Sequence, residues 1–451
     1  MKQPDWGYTY HTRFQAVIST CRARRRSGTL LSPGSQALAN QRSQIRLANR
    51  GAPITSATRG TPMCLANRGA TLSNQSGALG GRCGRGVLPW RRKLMLGLLR
   101  VRLHGPRPRP RPQPEAEREA EDVVGKAGAE GELRVVRRID CEVPVICCCF
   151  NRSAQLLAVG LTTGHIKLYK PCSGAFVYQL RDTETLNTNL PVTSLNFCPP
   201  GAASGDLLLA TYASGKVKLW HVSTQKCLHT IVENQQTLAA AFNASGTRFA
   251  SAGTAASIRL YDTASRQCLQ TFASSPSPTV MDGHRSRVFA VKFNPHNLTE
   301  LVSGGWDDTV QFWTENHPHS LRRIFGPHLC GDSLQIHPVT NEILTGSWRR
   351  ENSLEVWDYQ SGEKIQDIPE ENGAYSLTYS CRWLGPDHLI AAGTRSNVCR
   401  LVHRETMTTV GRFGNLPRGV YSIDVSTDRS EKSIVAVCSE NYVYLLEHQQ
   451  V

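Results

Sequence analysis

The sequence contains no run of about 18 apolar residues, the length a helix needs to cross a bilayer. Leu94–Leu103 is too short and carries Arg100 and Arg102, so membrane insertion is not expected. The opening MKQPDWGYTYHTRF does not read as a secretory signal. No GxGxxG, P-loop, GxSxG or HExxH motif occurs, so no catalytic residue, cofactor site or metal site is expected and the chain reads as a non-enzyme. There is no CxxC and no paired cysteine spacing among the fifteen cysteines: Cys147, Cys148 and Cys149 are consecutive in an apolar run, and Cys227, Cys268, Cys399 and Cys438 sit in strand-like runs. Neighbouring strand residues point to opposite faces, which argues against a metal centre built from Cys141, Cys147, Cys148 and Cys149. Cysteine used as a small apolar residue fits a reducing compartment. An intracellular protein of cytoplasm or nucleus is expected, with the sequons at Asn74, Asn151, Asn243 and Asn297 unused.

Acidic residues are scarce at one end only. Residues 1–130 hold 23 Lys and Arg against 7 Asp and Glu, whereas residues 131–451 hold 29 of each, so the net charge of +16 belongs to the N-terminal part. Residues 1–94 are rich in Arg, Gly and Ala and show no helix or strand periodicity, which reads as a disordered tail. LANRGA recurs at 47–52 and 65–70, too short and polar to build a solenoid. One hypothesis makes residues 1–94 a translated upstream region and Met95 the working start. The basic clusters at Cys21–Arg26 and Arg91–Lys93 are candidates for nuclear import or for weak nucleic-acid binding by counterion release, through the tail alone. Residues 95–131 read as a linker: GPRPRPRPQP is a polyproline II spacer, and an acidic run, Glu115–Asp122, follows it.

From residue 132 no helical stripe of a dozen residues appears. Apolar runs of four to seven residues alternate with Gly, Asn, Ser, Asp and Pro turns. Several runs end in an aromatic residue: IKLY at Tyr169, VKLW at Trp220, IRLY at Tyr261, VQFW at Trp313 and LEVW at Trp357. Degenerate copies end at Leu401 and Leu446. The spacings are 51, 41, 52, 44, 44 and 45 residues, a sevenfold period close to that of a four-stranded propeller blade. An unmatched strand, Leu133–Ile139, precedes the array, and the last copy lacks an outer strand, so the first is expected to complete the last.

These runs, with Tyr261-Asp262 and Trp357-Asp358 and the stretch ELVSGGWDDTVQFWT after Gly283-His284, resemble the WD-repeat family over residues 132–448. The resemblance implies an all-β fold, a seven-bladed propeller closed by the N-terminal strand. It also implies that His284, Ser303, Asp307 and Trp313 form a structural hydrogen-bonded tetrad. Only this fourth repeat has all four residues, and the other repeats are expected to rely on strand packing. A further implication is that loops of repeats four to seven share one rim, carrying Arg285, Arg287, Trp306, Trp348, Arg349, Arg350, Arg395 and Arg418. Glu370, Glu371 and Glu440 share it. Basic and aromatic residues together are common binding anchors, so an acidic or phosphorylated peptide is the candidate ligand. Ser275 and Ser277, each followed by Pro in the long loop 273–287, are candidate phosphorylation sites. His317, His319, His328 and His337 read as turn or solvated residues. The function implied is a scaffold or adaptor that binds protein or peptide partners within a multiprotein complex. Alternatives are a substrate receptor of a ubiquitin ligase, although no WDxR sequence occurs, and a nucleic-acid-associated protein acting through its tail.

Overall fold

The computed structural model describes residues 127–199, 206–277, 279–371, 375–426 and 433–449. The tail 1–94 and the linker as far as residue 126 lie outside them. Gly128–Gly131 (β1) and Leu133–Asp140 (β2) come first. Blade 1 holds Val145–Phe150 (β3), Leu157–Leu161 (β4), Ile166–Tyr169 (β5) and Phe176–Leu180 (β6). Blade 2 holds Val192–Phe197 (β7), Leu207–Tyr212 (β8), Lys216–His221 (β9) and Lys226–Val232 (β10). Blade 3 holds Thr237–Phe242 (β11), Arg248–Gly253 (β12), Ile258–Asp262 (β13) and Cys268–Phe272 (β14). Blade 4 holds Val288–Phe293 (β15), Glu300–Gly305 (β16), Thr309–Thr314 (β17) and Arg322–Phe325 (β18). Blade 5 holds Leu334–Ile336 (β19), Glu342–Gly346 (β20), Leu354–Asp358 (β21) and Lys364–Asp367 (β22). Blade 6 holds Leu377–Leu384 (β23), His388–Thr394 (β24), Cys399–His403 (β25) and Thr409–Gly414 (β26). Blade 7 begins with Val420–Val425 (β27), Ile434–Ser439 (β28) and Tyr442–His448 (β29). Seven antiparallel sheets result; five join their strands in chain order, and the sheets of blades 6 and 7 add β1 and β2 at their outer edges.

Position in the blade decides composition. Second strands such as β4 and β8 are buried along their whole length, and they read as unbroken apolar runs; β22, at an outer edge, is exposed throughout. Cores form between blades as well as within them. Phe272 of blade 3 packs on Trp313 of blade 4 at 5.5 Å between ring centroids, and both are buried. Each such large apolar side chain contributes about 1.5–3 kcal/mol by leaving water. The described cysteines are all free thiols, and burial pushes those of Cys330 and Cys381 up to about 12. They stay neutral and serve as apolar packing.

The two longest spacings have local causes. Between blades 1 and 2 lies a short helix, Thr183–Thr188 (α1), opened by a capping box in which Asp182 Oδ1 accepts from the Thr185 N–H at 2.8 Å and Thr185 Oγ1 accepts from the Asp182 N–H at 2.9 Å. It delivers Asp182 and Glu184 to Lys218, whose Nζ lies 2.6 and 2.8 Å from their carboxylates and whose side chain is 1% exposed. Between blades 3 and 4 lies the loop 273–287.

The outer strand of blade 7 comes from the other end of the array. β2 pairs antiparallel with β29, from Leu133 opposite His448 to Asp140 opposite Tyr442. Its register slips between Val135 and Arg137, opposite Leu446 and Leu445. Outer strands of blades 1, 2, 3, 5 and 6 slip at the matching place, opposite Tyr169, Trp220, Tyr261, Trp357 and Val402. β2 therefore carries the local geometry of an outer blade strand.

Gly128–Gly131, placed in the linker by its sequence, is a strand. β1 pairs with β26 and makes blade 6 five-stranded. GAEG offers no β-branched or aromatic side chain, so it pairs mainly through its backbone, with Ala129 packed against the neighbouring core. Gly131 is required there: its φ is +67°, and a Cβ would stand 2.1 Å from the Val410 carbonyl oxygen.

Removing β2 leaves β29 as a bare edge. A chain beginning at Cys141 is expected to aggregate and to lose a cooperative melt, while a chain beginning at Ala127 keeps the full-length melting temperature. Calorimetry and size-exclusion chromatography on both read this out, and identical behaviour would contradict the closing role of β2.

Candidate binding rim and the interactions that hold it

His284, Ser303, Asp307 and Trp313 come together from β16, β17 and the loops beside them. His284 Nδ1 donates to Asp307 at 2.9 Å, and Nε2 lies 2.7 Å from Ser303 Oγ, which accepts from Trp313 Nε1 at 2.8 Å. Asp307 also accepts from the Arg285 N–H at 2.7 Å and from Thr309 Oγ1 at 2.8 Å. A neutral imidazole with its proton on Nδ1 satisfies every partner in the chain. Burial alone would raise the Asp307 carboxyl, but His284, the Arg285 N–H and Thr309 reverse this and hold it below the ordinary carboxylate range. A Ser-His-Asp order invites comparison with a hydrolytic triad. Here Ser303 is fully buried and its oxygen is occupied by the indole, which leaves no approach for a substrate.

Other blades also carry side-chain hydrogen bonds, contrary to the expectation from their sequences. In blade 3, Glu233 stands four residues before β11, as His284 stands four before β15. Its carboxylate accepts from Ser251 Oγ, from Tyr261 Oη at 2.9 Å and from Gln235 Nε2 at 2.7 Å. A carboxylate thus replaces the imidazole, and two hydroxyls replace the serine–indole pair. In blade 5 Trp357 Nε1 donates to Thr345 Oγ1 at 3.0 Å, and in blade 2 Trp220 Nε1 donates to Tyr212 Oη at 3.2 Å.

The centre of the ring is closed to ligands of ordinary size. In six blades the innermost strand slips one residue against its neighbour, at Ile146, Thr193, Leu238, Phe289, Tyr379 and Tyr421. Bulges re-aim side chains, and these six all line the central cavity. They leave a volume of ≈ 60 Å³, room for a few waters. One layer further a charged chain crosses the blades: Lys292 to Asp332 at 2.9 Å, Asp332 to Arg382 at 2.6 Å, Arg382 to Asp424 at 3.4 Å, and Asp424 to the Phe150 N–H at 2.7 Å. Asp332 is 38% exposed to the channel. Burial would raise its carboxyl, but Arg382 and Lys292 bring it down to about 2. For Asp424 burial wins and the carboxyl is raised. Sequence reasoning missed these four residues. Three of them had a signal, a charge near the end of an inner strand, in VKF, CRW and IDV; Asp332 lies just before its strand and had none.

The rim residues divide by what their side chains already do. Arg285 spends its guanidinium on the carbonyls of Ser277 (2.6 Å) and Val280 (2.8 Å), pinning the loop 273–287. Arg349 donates to the carbonyls of Gly326 (2.7 Å) and Asn352 (3.0 Å) and pairs with the buried Glu355 at 2.8 Å. Arg418 lies 3.8 Å from Glu440, and its N–H and carbonyl both bond Ser439 Oγ. Glu371 is held by Arg412 and Arg400. Arg287 stacks 5.2 Å above Trp306, whose other neighbours are Phe289 and His328; Trp348 is half-buried. Arg350 and Arg395 are exposed and lie 5.0 and 5.5 Å from the ring of Tyr375. Tyr375 was not among the sequence candidates, which were chosen as Arg and Trp; it joins the rim only because the loop between blades 5 and 6 brings it between two arginines. Arg395 adopts φ +83°, a conformation a non-glycine residue rarely takes.

Ser275 takes Asp282 Oδ1 on its backbone N–H at 2.9 Å, and Ser277 Oγ lies 3.1 Å from Thr279 Oγ1. His337 is buried, and its Nδ1 accepts from the N–H groups of Val339 and Thr340. His317 bonds the His319 carbonyl, and His328 pairs with Asp308 at 2.7 Å.

Residues 268–314 match the WD domain, G-beta repeat family, and residues 148–241 match the anaphase-promoting complex subunit 4 WD40 domain family. The first match runs from the outer strand of blade 3 to the third strand of blade 4, so repeat and blade are offset by one strand. Human pre-mRNA-processing factor 17 is 26% identical over 189 residues, 40% of this chain and 31% of that protein. The U5 small nuclear ribonucleoprotein 40 kDa protein of Dictyostelium discoideum is 31% identical over 121 residues, 26% of this chain and 32% of that one. Meiotic fizzy-related protein 1 of Schizosaccharomyces pombe is 24% identical over 242 residues, 51% of each chain. The chain thus spans about a third to a half of the length of these relatives.

Asp307→Ala is expected to cost about 1–3 kcal/mol, since it strips partners from a buried imidazole and two donors. The pH dependence follows from the depressed carboxyl: its stabilisation is present above the unfolded-state pKa and is lost as pH falls through the lower folded value. Thermal melts of wild type and Asp307→Asn across the acidic range should therefore converge toward low pH. A constant gap would contradict this assignment.

Proposed function

We propose, from the premise that this chain is a WD40-repeat β-propeller, that it is a non-catalytic scaffold binding an acidic or phosphorylated peptide on the rim of blades 5 and 6. The observation that carries the reading is Tyr375 between the guanidinium groups of Arg350 and Arg395. An aromatic ring beside two exposed guanidinium groups combines apolar area with positive charge, the composition of a binding hot spot. Arg395 is held at a positive φ, and backbone strain of this kind persists where the surroundings over-determine it, often at ligand-binding positions. Arg287, Trp306 and His328 extend the same kind of surface toward blade 4.

The channel is too narrow for a drug-sized ligand, which moves recognition to the loops. Relatives named for pre-mRNA processing, for a small nuclear ribonucleoprotein and for a THO complex support a place in a multiprotein assembly. A phosphate on Ser277 would lie beside Arg285, which already holds the Ser277 carbonyl.

Fluorescence polarisation against acidic peptides with and without phosphoserine tests the reading. Arg350→Glu with Arg395→Glu should weaken binding about tenfold or more, with the melting temperature kept, and Tyr375→Ala should act in the same direction. Arg349→Ala should instead lower the melting temperature, because Glu355 loses a partner. A double variant that binds every peptide as the wild type does sinks the proposal.

A further inference from the structure

At the seam between blades 6 and 7, three side chains from distant parts of the sequence converge. Glu132 lies in the turn from β1 to β2, His388 opens β24, and His448 ends β29. His448 Nε2 stands 2.9 Å and His388 Nε2 3.5 Å from the same oxygen, Glu132 Oε2. The ligand atoms of all three fall within 4.8 Å of one another, and among the described residues no other group of three His, Cys, Asp or Glu side chains does so. We propose that Glu132, His388 and His448 bind one divalent transition metal ion of the zinc class.

The spacing carries the argument. Metal bonds of about 2.0–2.2 Å to imidazole nitrogen and carboxylate oxygen in tetrahedral geometry place ligand atoms roughly 3.3 Å apart. The two measured separations, 2.9 and 3.5 Å, bracket that edge length. A cation among the three groups engages both nitrogen lone pairs and the carboxylate together. The donor set is imidazole and carboxylate with no thiolate, which favours zinc-class ions over copper(I).

The surroundings suit a preformed site. The side chains of His388 and His448 are 11% and 9% exposed, and that of Glu132 is 21% exposed. The backbone of Glu132 is pinned on both sides, its N–H donating to the Val410 carbonyl at 3.0 Å and its carbonyl accepting from the Gln449 N–H at 2.9 Å. Gly131, with its obligatory positive φ, sets the turn that presents it. Among the described residues the cluster supplies three ligands, so the ion's fourth position falls to water. Bound metal would tie the entry to β2, the exit of β29 and the flank of blade 6 into one clamp. Because the unfolded chain scatters these residues, binding would stabilise the closed ring.

The full-length protein, stripped with a chelator, is titrated with zinc sulfate against a chromogenic competitor, with bound metal counted by mass spectrometry and cobalt(II) absorption as a second probe. One ion per chain is expected, together with a rise in melting temperature on adding zinc. Glu132→Gln, nearly isosteric, should weaken binding about tenfold and His388→Ala about a hundredfold or more. His317→Ala with His319→Ala, an exposed and a half-buried histidine elsewhere, should leave zinc stoichiometry and the zinc-induced rise unchanged. If the His388 variant fails to fold, Glu132→Gln and the cobalt spectrum still decide. Zinc held equally by wild type and Glu132→Gln, or lost only in the His317/His319 variant, overturns the site.

Discussion

Closure of the ring is the constraint on which the rest depends. A set of seven sheets around an axis has no core unless each sheet finds a neighbour on both sides, as Phe272 and Trp313 do across blades 3 and 4. The last contact is the costly one, because it pairs Leu133 with His448 over almost the whole array. Loop closure costs only about 0.6 kcal/mol for each doubling of the loop, whereas a bare β29 would leave a row of unpaired backbone groups. A strand of eight residues therefore does more for this fold than its share of the core suggests. β1 repeats the device one blade earlier with small side chains, of which Ala129 packs against the core.

Closure also decides where chemistry can occur. Bringing seven inner strands to one axis crowds them, and a register slip at the same place in six of them turns Ile146, Thr193, Leu238, Phe289, Tyr379 and Tyr421 inward. What remains of the channel is small, and the layer beyond it is occupied by Lys292, Asp332, Arg382 and Asp424. These charges neutralise one another across four blades, so they join sheets rather than await a ligand. The tetrad of blade 4 is equally self-contained. The rim loops are the part of the ring that closure does not use, which is why binding is proposed there.

The fold was legible in the sequence because a period of about 45 residues survives any single substitution. IKLY, VKLW, IRLY, VQFW and LEVW each mark a third strand that the structure contains. Identity at single positions was less legible. Glu233 does for blade 3 what His284 does for blade 4, yet no pattern equates a carboxylate with an imidazole; the equivalence lies in the donors that surround them. Lys218 looked like an ordinary repeat residue, and only α1, a segment without periodicity, reveals its partners. Glu132, His388 and His448 are far apart in the chain, and their convergence is a consequence of closure that local spacing cannot express.

The rim shows the same limit from the other side. Arg285, Arg349 and Arg350 are the same residue type in the same kind of loop, and composition treats them alike. Their roles separate through neighbours. Arg285 meets two carbonyls of its own loop, and Arg349 meets two carbonyls and a carboxylate that is 2% exposed. A guanidinium satisfied in this way rigidifies the loop that carries it and loses its value as a docking group, since a ligand would first have to displace bonds at least as good as those it offers. Arg350 and Arg395 meet an aromatic face instead. Cation–π contact orients a guanidinium over the ring, so Arg350 and Arg395 are positioned by Tyr375. The arginines that hold the rim and the two on which the proposed reading rests are thus set apart by their neighbours, which neither residue type nor loop position reveals.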